Sequence, residues 1–166
     1  MSALSRRGLY LAGFLICAGL LGYAWYVQGV LRIEPCPLCI FQRIGIAAMG
    51  VLFLAAWAHG PSASWAARVY GLAIALAGLV TMGVAARHVW IQHLPEGAVP
   101  SCGAGLSFLL EEFPVADVVR KVLSGSGECH QVNWTFLSLS MPSWVLLAAG
   151  ALTALGLYAS FRVTRR

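Results

Sequence analysis

Four apolar runs, at roughly 9–27, 40–58, 69–86 and 144–161, decide what this chain can fold into. Each is close to the ~20 residues a helix needs to cross a hydrocarbon core. Lipid offers no partner to a backbone N–H or C=O. A span must therefore be a helix or part of a closed barrel, and four segments cannot close one. Of the 166 residues, 60% are hydrophobic and only 10% charged, and the mean hydropathy is +0.79. So few charges cannot cover so much apolar surface in water. The expectation is an all-α integral membrane protein: a four-helix transmembrane bundle forming a single membrane domain over 1–166, with outer loops at about 28–39 and 87–143. Gly13, Gly19, Gly45, Gly71 and Gly78 lie in the runs, where small residues let helices approach closely.

Charge placement orients the bundle. Arg6 and Arg7 precede the first run, Arg68 lies in the second connection, and Arg162, Arg165 and Arg166 close the chain. The positive-inside rule assigns these three regions to the cytoplasm. All six acids (Glu34, Glu96, Glu111, Glu112, Asp117 and Glu128) fall on the opposite side. Four spans require both termini on one face, as the arginines indicate. The net charge of +5 thus follows from topology and carries no case for nucleic-acid binding. Arg6-Arg7-Gly8 before an apolar run also resembles an export signal, but the run is long for one and no small-x-small cleavage site follows.

The polar chemistry lies in the long outer segment. Pro114 can start a short helix with Val115, Val118, Val119, Val122 and Leu123 on one face and Asp117, Arg120 and Lys121 elsewhere. That pattern predicts an amphipathic helix lying in the membrane interface. Ser124-Gly125-Ser126-Gly127 then reads as a flexible turn before Cys129.

Five cysteines supply the candidate chemistry. Cys36 and Cys39, in Pro35-Cys36-Pro37-Leu38-Cys39, are three residues apart at the start of the second span. At a helix start they face the same way, within disulfide reach. Pro37 suits the first helical position. A thiolate there is stabilised by unpaired N–H groups and the positive end of the helix dipole. Arg43, one turn deeper, adds a positive charge near Cys39, although an isolated Arg at a helix end also snorkels to the interface without further purpose. Cys102 and Cys129 lie in the second loop, on the side where disulfides persist. A structural staple is the ordinary reading of such a pair, and the Gly/Ser turn favours an exchangeable one. Zinc is disfavoured, because 26 residues separate this pair where a zinc knuckle has two to four. His88 reads by itself as a boundary residue, and Cys17, mid-span without polar company, as a packing residue.

The stretch Glu34-Pro35-Cys36-Pro37-Leu38-Cys39-Ile40-Phe41-Gln42-Arg43 resembles the signature of the bacterial DsbB family of quinone-dependent disulfide-generating proteins. So do Ser126-Gly127-Glu128-Cys129, Trp134-Thr135-Phe136-Leu137 and Met141-Pro142-Ser143-Trp144. Together with the order of spans, loops and cysteines, the resemblance covers essentially the whole chain. Arg87 and Trp90 beside His88 depart from the family's pattern, and the stretch from His88 to Cys102 is slightly long.

The resemblance implies a bacterial inner-membrane thiol:quinone oxidoreductase serving disulfide bond formation, with its cysteine loops in the periplasm. That the DsbA–DsbB–quinone system keeps the periplasm oxidising is known of the family and is not read from these residues. It implies redox-active pairs Cys36–Cys39 and Cys102–Cys129, with Cys102 attacked by a soluble DsbA-like thiol oxidase. Electrons then pass to Cys36 and Cys39 through an interloop Cys36–Cys129 disulfide, and Cys39 faces the quinone, ubiquinone or menaquinone. Arg43, His88 and Gln92 are the implied quinone-site residues, and no metal is implied.

Redox chemistry agrees. A DsbA-type partner sits near about −120 mV, so its re-oxidation needs a stronger acceptor than a nicotinamide, and a quinone dissolves where Arg43 points. Two other classes compete: a structural or chaperone-like membrane protein whose disulfides only brace its loops, and a small transporter with Arg43 and His88 along a polar path. The transporter is weakened by the lack of other ionisable residues well inside a span.

Overall fold

The computed structural model describes residues 5–30, 32, 35–95, 111, 113–124, 129 and 135–161. Cys102, Glu34, Gly125–Glu128 and the terminal arginines Arg162, Arg165 and Arg166 lie outside the described residues. Among the described residues, four helices are long and apolar enough to cross a membrane: α1 (Arg6–Val30), α2 (Pro37–His59), α3 (Ser64–Gln92) and α5 (Met141–Phe161). A shorter helix, α4 (Val115–Ser124), lies between α3 and α5. The chain is a multi-pass helical membrane protein.

Each spanning helix starts at or before its apolar run, because backbone hydrogen bonding continues where lipid-matched side chains stop. Ser5 begins α1, its Oγ accepting the Gly8 N–H at 3.2 Å. Gly60, at φ 55°, ends α2 in the left-handed conformation and returns its N–H to the Ala56 carbonyl at 3.0 Å. The largest extension is at α3. Its 29 residues make about 43 Å of helix against a hydrocarbon core of about 30 Å. His88 and Gln92, at the sequence-derived start of the second loop, therefore stand on the rigid last turns of α3.

Helix α1 packs on α2 and α5, α2 on α3, and α3 on α5, closing a ring of four. Tyr10, Cys17, Met49, Phe53, Ile74 and Leu152 fill its interior, where the Tyr10 hydroxyl and Ser160 Oγ meet at 2.9 Å. Leu15, Val51, Leu72, Leu76 and Leu147 point outward, as a lipid-facing surface requires. The glycines differ in role. A Cβ on Gly78 meets Thr153 Oγ1, with Met49 Cε at 3.2 Å, whereas one on Gly19 meets nothing within 4 Å. Gly19 is thus not a helix contact, contrary to the sequence expectation. Gly78→Leu is expected to destabilise the bundle by about 1–3 kcal/mol and Gly19→Leu to be near neutral, as thermal unfolding in detergent will read.

Two features refine the sequence reading. The segment before α5 forms a small hairpin, β1 (Thr135–Phe136) and β2 (Leu139–Ser140), pairing Thr135 with Ser140 and Phe136 with Leu139. Leu137 (φ 49°) and Ser138 (φ 64°) make the turn. Such turns favour Asn-Gly, so Leu-Ser gives no compositional cue. Helix α4 starts as predicted, the Pro114 carbonyl accepting the N–H groups of Asp117 and Val118 at 2.9 and 3.1 Å. Val118 and Val122 are buried against the protein, while Leu123 is 39% exposed, so the apolar stripe is narrower than expected.

Candidate redox site

The site forms where α2 begins, α3 ends and α4 lies across them. Val118 and Val122 of α4 pack with Leu38 and Cys36 of α2, Ile91 of α3, and Cys129. Arg87 holds this lid from α3. Its Nε and Nη2 donate to the Leu123 and Ser124 carbonyls at 3.0 and 3.4 Å, at the negative end of α4. The residue that departed from the family pattern thus has a positional role.

Cys36 is the N-cap of α2, with Pro37 in the first turn. Its Sγ lies 3.4 Å from the Cys39 N–H and 3.2 Å from Cys39 Sγ. The capping geometry that starts the helix is the same geometry that sets two sulfurs side by side. Cys36 and Cys129 are buried, whereas Cys39 is only half-buried. Cys36 Sγ, Cys129 Sγ and a ring nitrogen of His88 all lie within 4.8 Å of one another. Cys129 is far from Cys36 in sequence, so this contact is a product of the fold.

His88 is 2% exposed and stands at the centre of the cluster. Its Nε2 is 3.8 Å from Cys36 Sγ and donates to the Cys129 carbonyl at 3.2 Å. Its Nδ1 meets Gln42 Nε2 at 3.1 Å. Gln42 is 3% exposed, and sequence reasoning gave it no role. The available signal was an amide three residues after Cys39, on the same helix face, in an otherwise apolar run.

The residues grouped as a quinone set point to different neighbours. The Arg43 guanidinium donates to Gln28 Oε1 and, at 3.2 Å, to the Ala24 carbonyl, both on α1. Gln92 Oε1 accepts from Ser140 Oγ at 2.7 Å, beside the start of α5. Of the three, His88 lies against the described sulfurs of Cys36 and Cys129. Cys17 is buried mid-helix, its Cβ close to where a side chain on Gly50 would stand.

Compared with protein-family models, residues 6–159 match the family described as "Disulfide bond formation protein DsbB". The chain belongs to the DsbB family. Among curated DsbB proteins, "Disulfide bond formation protein B" of Xanthomonas axonopodis pv. citri (strain 306) is 51% identical over 161 residues, 97% of this chain and 94% of the relative. The protein of that name from Xanthomonas campestris pv. campestris (strain 8004) is 49% identical over 156 residues, covering 94% and 91%. The one from Xylella fastidiosa (strain Temecula1 / ATCC 700964) is 46% identical over 162 residues, covering 98% and 94%. The described cysteines of this chain thus occur in a disulfide-generating thiol oxidoreductase family.

Proposed function

We propose that this chain re-oxidises a periplasmic DsbA-like dithiol and delivers the electrons to quinone in the bacterial inner membrane, with both termini cytoplasmic. One observation carries the sulfur route: Cys129, from the second loop, is buried within 4.8 Å of Cys36, whose own neighbour Cys39 is 3.2 Å away. Three sulfurs in series are a path for disulfide exchange.

The exchange balances at each step. A partner thiolate attacks Cys102 of the Cys102–Cys129 disulfide, forming the mixed disulfide and releasing Cys129 as thiolate. Cys129 then attacks Cys36, the Cys36–Cys39 bond breaks, and the electron pair leaves on Cys39. The partner's second thiolate attacks the mixed disulfide, closing the partner's own disulfide and freeing Cys102 as thiolate. Each step exchanges one disulfide for another, so net oxidation needs the external acceptor. Half-buried Cys39 is the described sulfur of the relay that a lipid-borne molecule reaches, which fits a quinone at this end of α2. Bound there, the quinone accepts two electrons and two protons. The protein's part is to hold Cys36 and Cys39 side by side at the helix start, where the Cys39 N–H is given to the Cys36 sulfur, and to keep Cys36 and Cys129 dry.

Arg43, one turn beyond Cys39, supplies the positive charge beside that end of α2, while Gln92 is engaged by Ser140 beside α5. Arg43→Ala is expected to raise the apparent quinone KM by about tenfold, the size of one charge-assisted hydrogen bond. An unchanged KM leaves Arg43 as an anchor to α1. Cys17→Ala, which removes one sulfur from the core, is expected to leave turnover intact in the same assay. The reading as a whole is tested by adding a reduced DsbA-like partner to the purified protein and following quinone absorbance. Loss of that absorbance with partner oxidation supports it, and partner oxidation that ignores quinone overturns it.

A further inference from the structure

The hydrogen bonds around His88 determine which of its nitrogens carries hydrogen. The Cys129 carbonyl only accepts, so Nε2, 3.2 Å away, is the donor. A neutral ring then has its lone pair on Nδ1, where the Gln42 amide donates at 3.1 Å. With His88 and Gln42 2% and 3% exposed, the Nδ1 lone pair and one Gln42 N–H satisfy each other away from bulk water. The same Nε2–H lies 3.8 Å from Cys36 Sγ. One donor thus addresses the backbone of the incoming cysteine and the sulfur it meets.

We propose that Gln42 and His88 are a positioning pair for exchange between the two loops, a role separate from quinone binding. His88 tethers the Cys129 backbone beside Cys36, and Gln42 acts through His88 by fixing its ring and tautomer. The inference rests on the relay proposed above. When Cys129 attacks, a Cys36–Cys129 bond forms and the electron pair leaves on Cys39. When Cys102 later reclaims Cys129, the pair leaves on Cys36, and Nε2–H is in place to stabilise that thiolate. Neither step needs an oxidant, because one disulfide replaces another. A buried NH donor held toward a leaving sulfur lowers the barrier in the same sense as a preorganised donor at any developing anion.

The test uses full-length protein carrying Cys17→Ala, Cys39→Ser and Cys102→Ser, which leaves only Cys36 and Cys129. It is equilibrated in glutathione redox buffers, and the Cys36–Cys129 disulfide is quantified by thiol alkylation. The parent is expected to form it readily. Gln42→Met, similar in volume but without the amide, is expected to lower the effective concentration of the two thiols about tenfold, the worth of one buried hydrogen bond. His88→Phe is expected to lower it at least as far. Gln42→Glu, which pairs with a doubly protonated ring and keeps Nε2–H in place, is expected to stay near the parent, a rescue that packing alone does not give. In the protein with all its cysteines, Gln42→Met should lower kcat and leave the apparent quinone KM unchanged. Gln42→Met and His88→Phe equilibrating like the parent overturn the proposal, as does a raised quinone KM with an unaltered disulfide equilibrium. A parent that forms no Cys36–Cys129 disulfide overturns the relay itself.

Discussion

Cys39→Ser is expected to stop quinone reduction, with turnover falling on the order of 10³-fold or more, as for loss of a nucleophile that acts as part of a unit. The reason is positional. Cys36 is buried beneath α4 and Cys129 is buried against it, so Cys39 is the half-exposed sulfur of the described three. A serine there keeps the size and the helix start, because the N-cap acceptor is Cys36 and not Cys39. What it removes is the leaving group that, on the proposed route, carries the electron pair out of the cluster. Attack on Cys102 by the partner does not use Cys39 and should survive, giving a variant that still reacts with a DsbA-like thiol but no longer turns over. Normal quinone turnover by this variant, measured by absorbance, shows that the exit lies elsewhere.

The second large effect is expected at Cys129. On the proposed route, serine there leaves Cys102 without its loop partner and cuts the path to Cys36, so turnover is again expected to fall on the order of 10³-fold. Cys102 remains reactive toward an oxidised DsbA-like protein. Its thiolate attacks the partner's disulfide, one S–S bond replaces another, and the electron pair stays on the partner's second cysteine. A covalent adduct is expected on non-reducing gels, released by dithiothreitol and lost when Cys102 is also replaced. No adduct in the presence of an active partner contradicts the shuttle role of Cys102.

The spanning helices were legible because lipid imposes a length and a composition on any segment that crosses it. Their ends were less so, since α3 continues through His88 to Gln92 after its apolar run has stopped. That extension matters for the site, because it turns His88 from a boundary residue into a side chain on rigid backbone. The Cys36–Cys39 pairing was readable from spacing and from Pro37, which together specify a capped helix start. The approach of Cys129 to Cys36 came only from the family resemblance and not from spacing, since the chain between α3 and Cys129 gives no local pattern for where it returns. Gln42 and Arg87 were missed for a related reason. Each acts on an element distant in sequence, Gln42 on α3 and Arg87 on the end of α4, and neither residue type announces its partner. The hairpin escaped notice because Leu137 and Ser138 adopt a turn that other residues usually make.

On the proposed route, electrons from a partner dithiol leave through these sulfurs to quinone and nowhere else. The most direct test of this route is a single-turnover experiment on purified protein loaded with quinone, with reduced DsbA-like partner added in limiting amount and oxygen excluded. Quinone loss is followed by absorbance and partner disulfide by alkylation. One quinone is expected to be consumed for each partner disulfide formed, and none with Cys39→Ser. Partner disulfide accumulating in excess of quinone consumed, or quinone loss that persists without Cys39, contradicts this route.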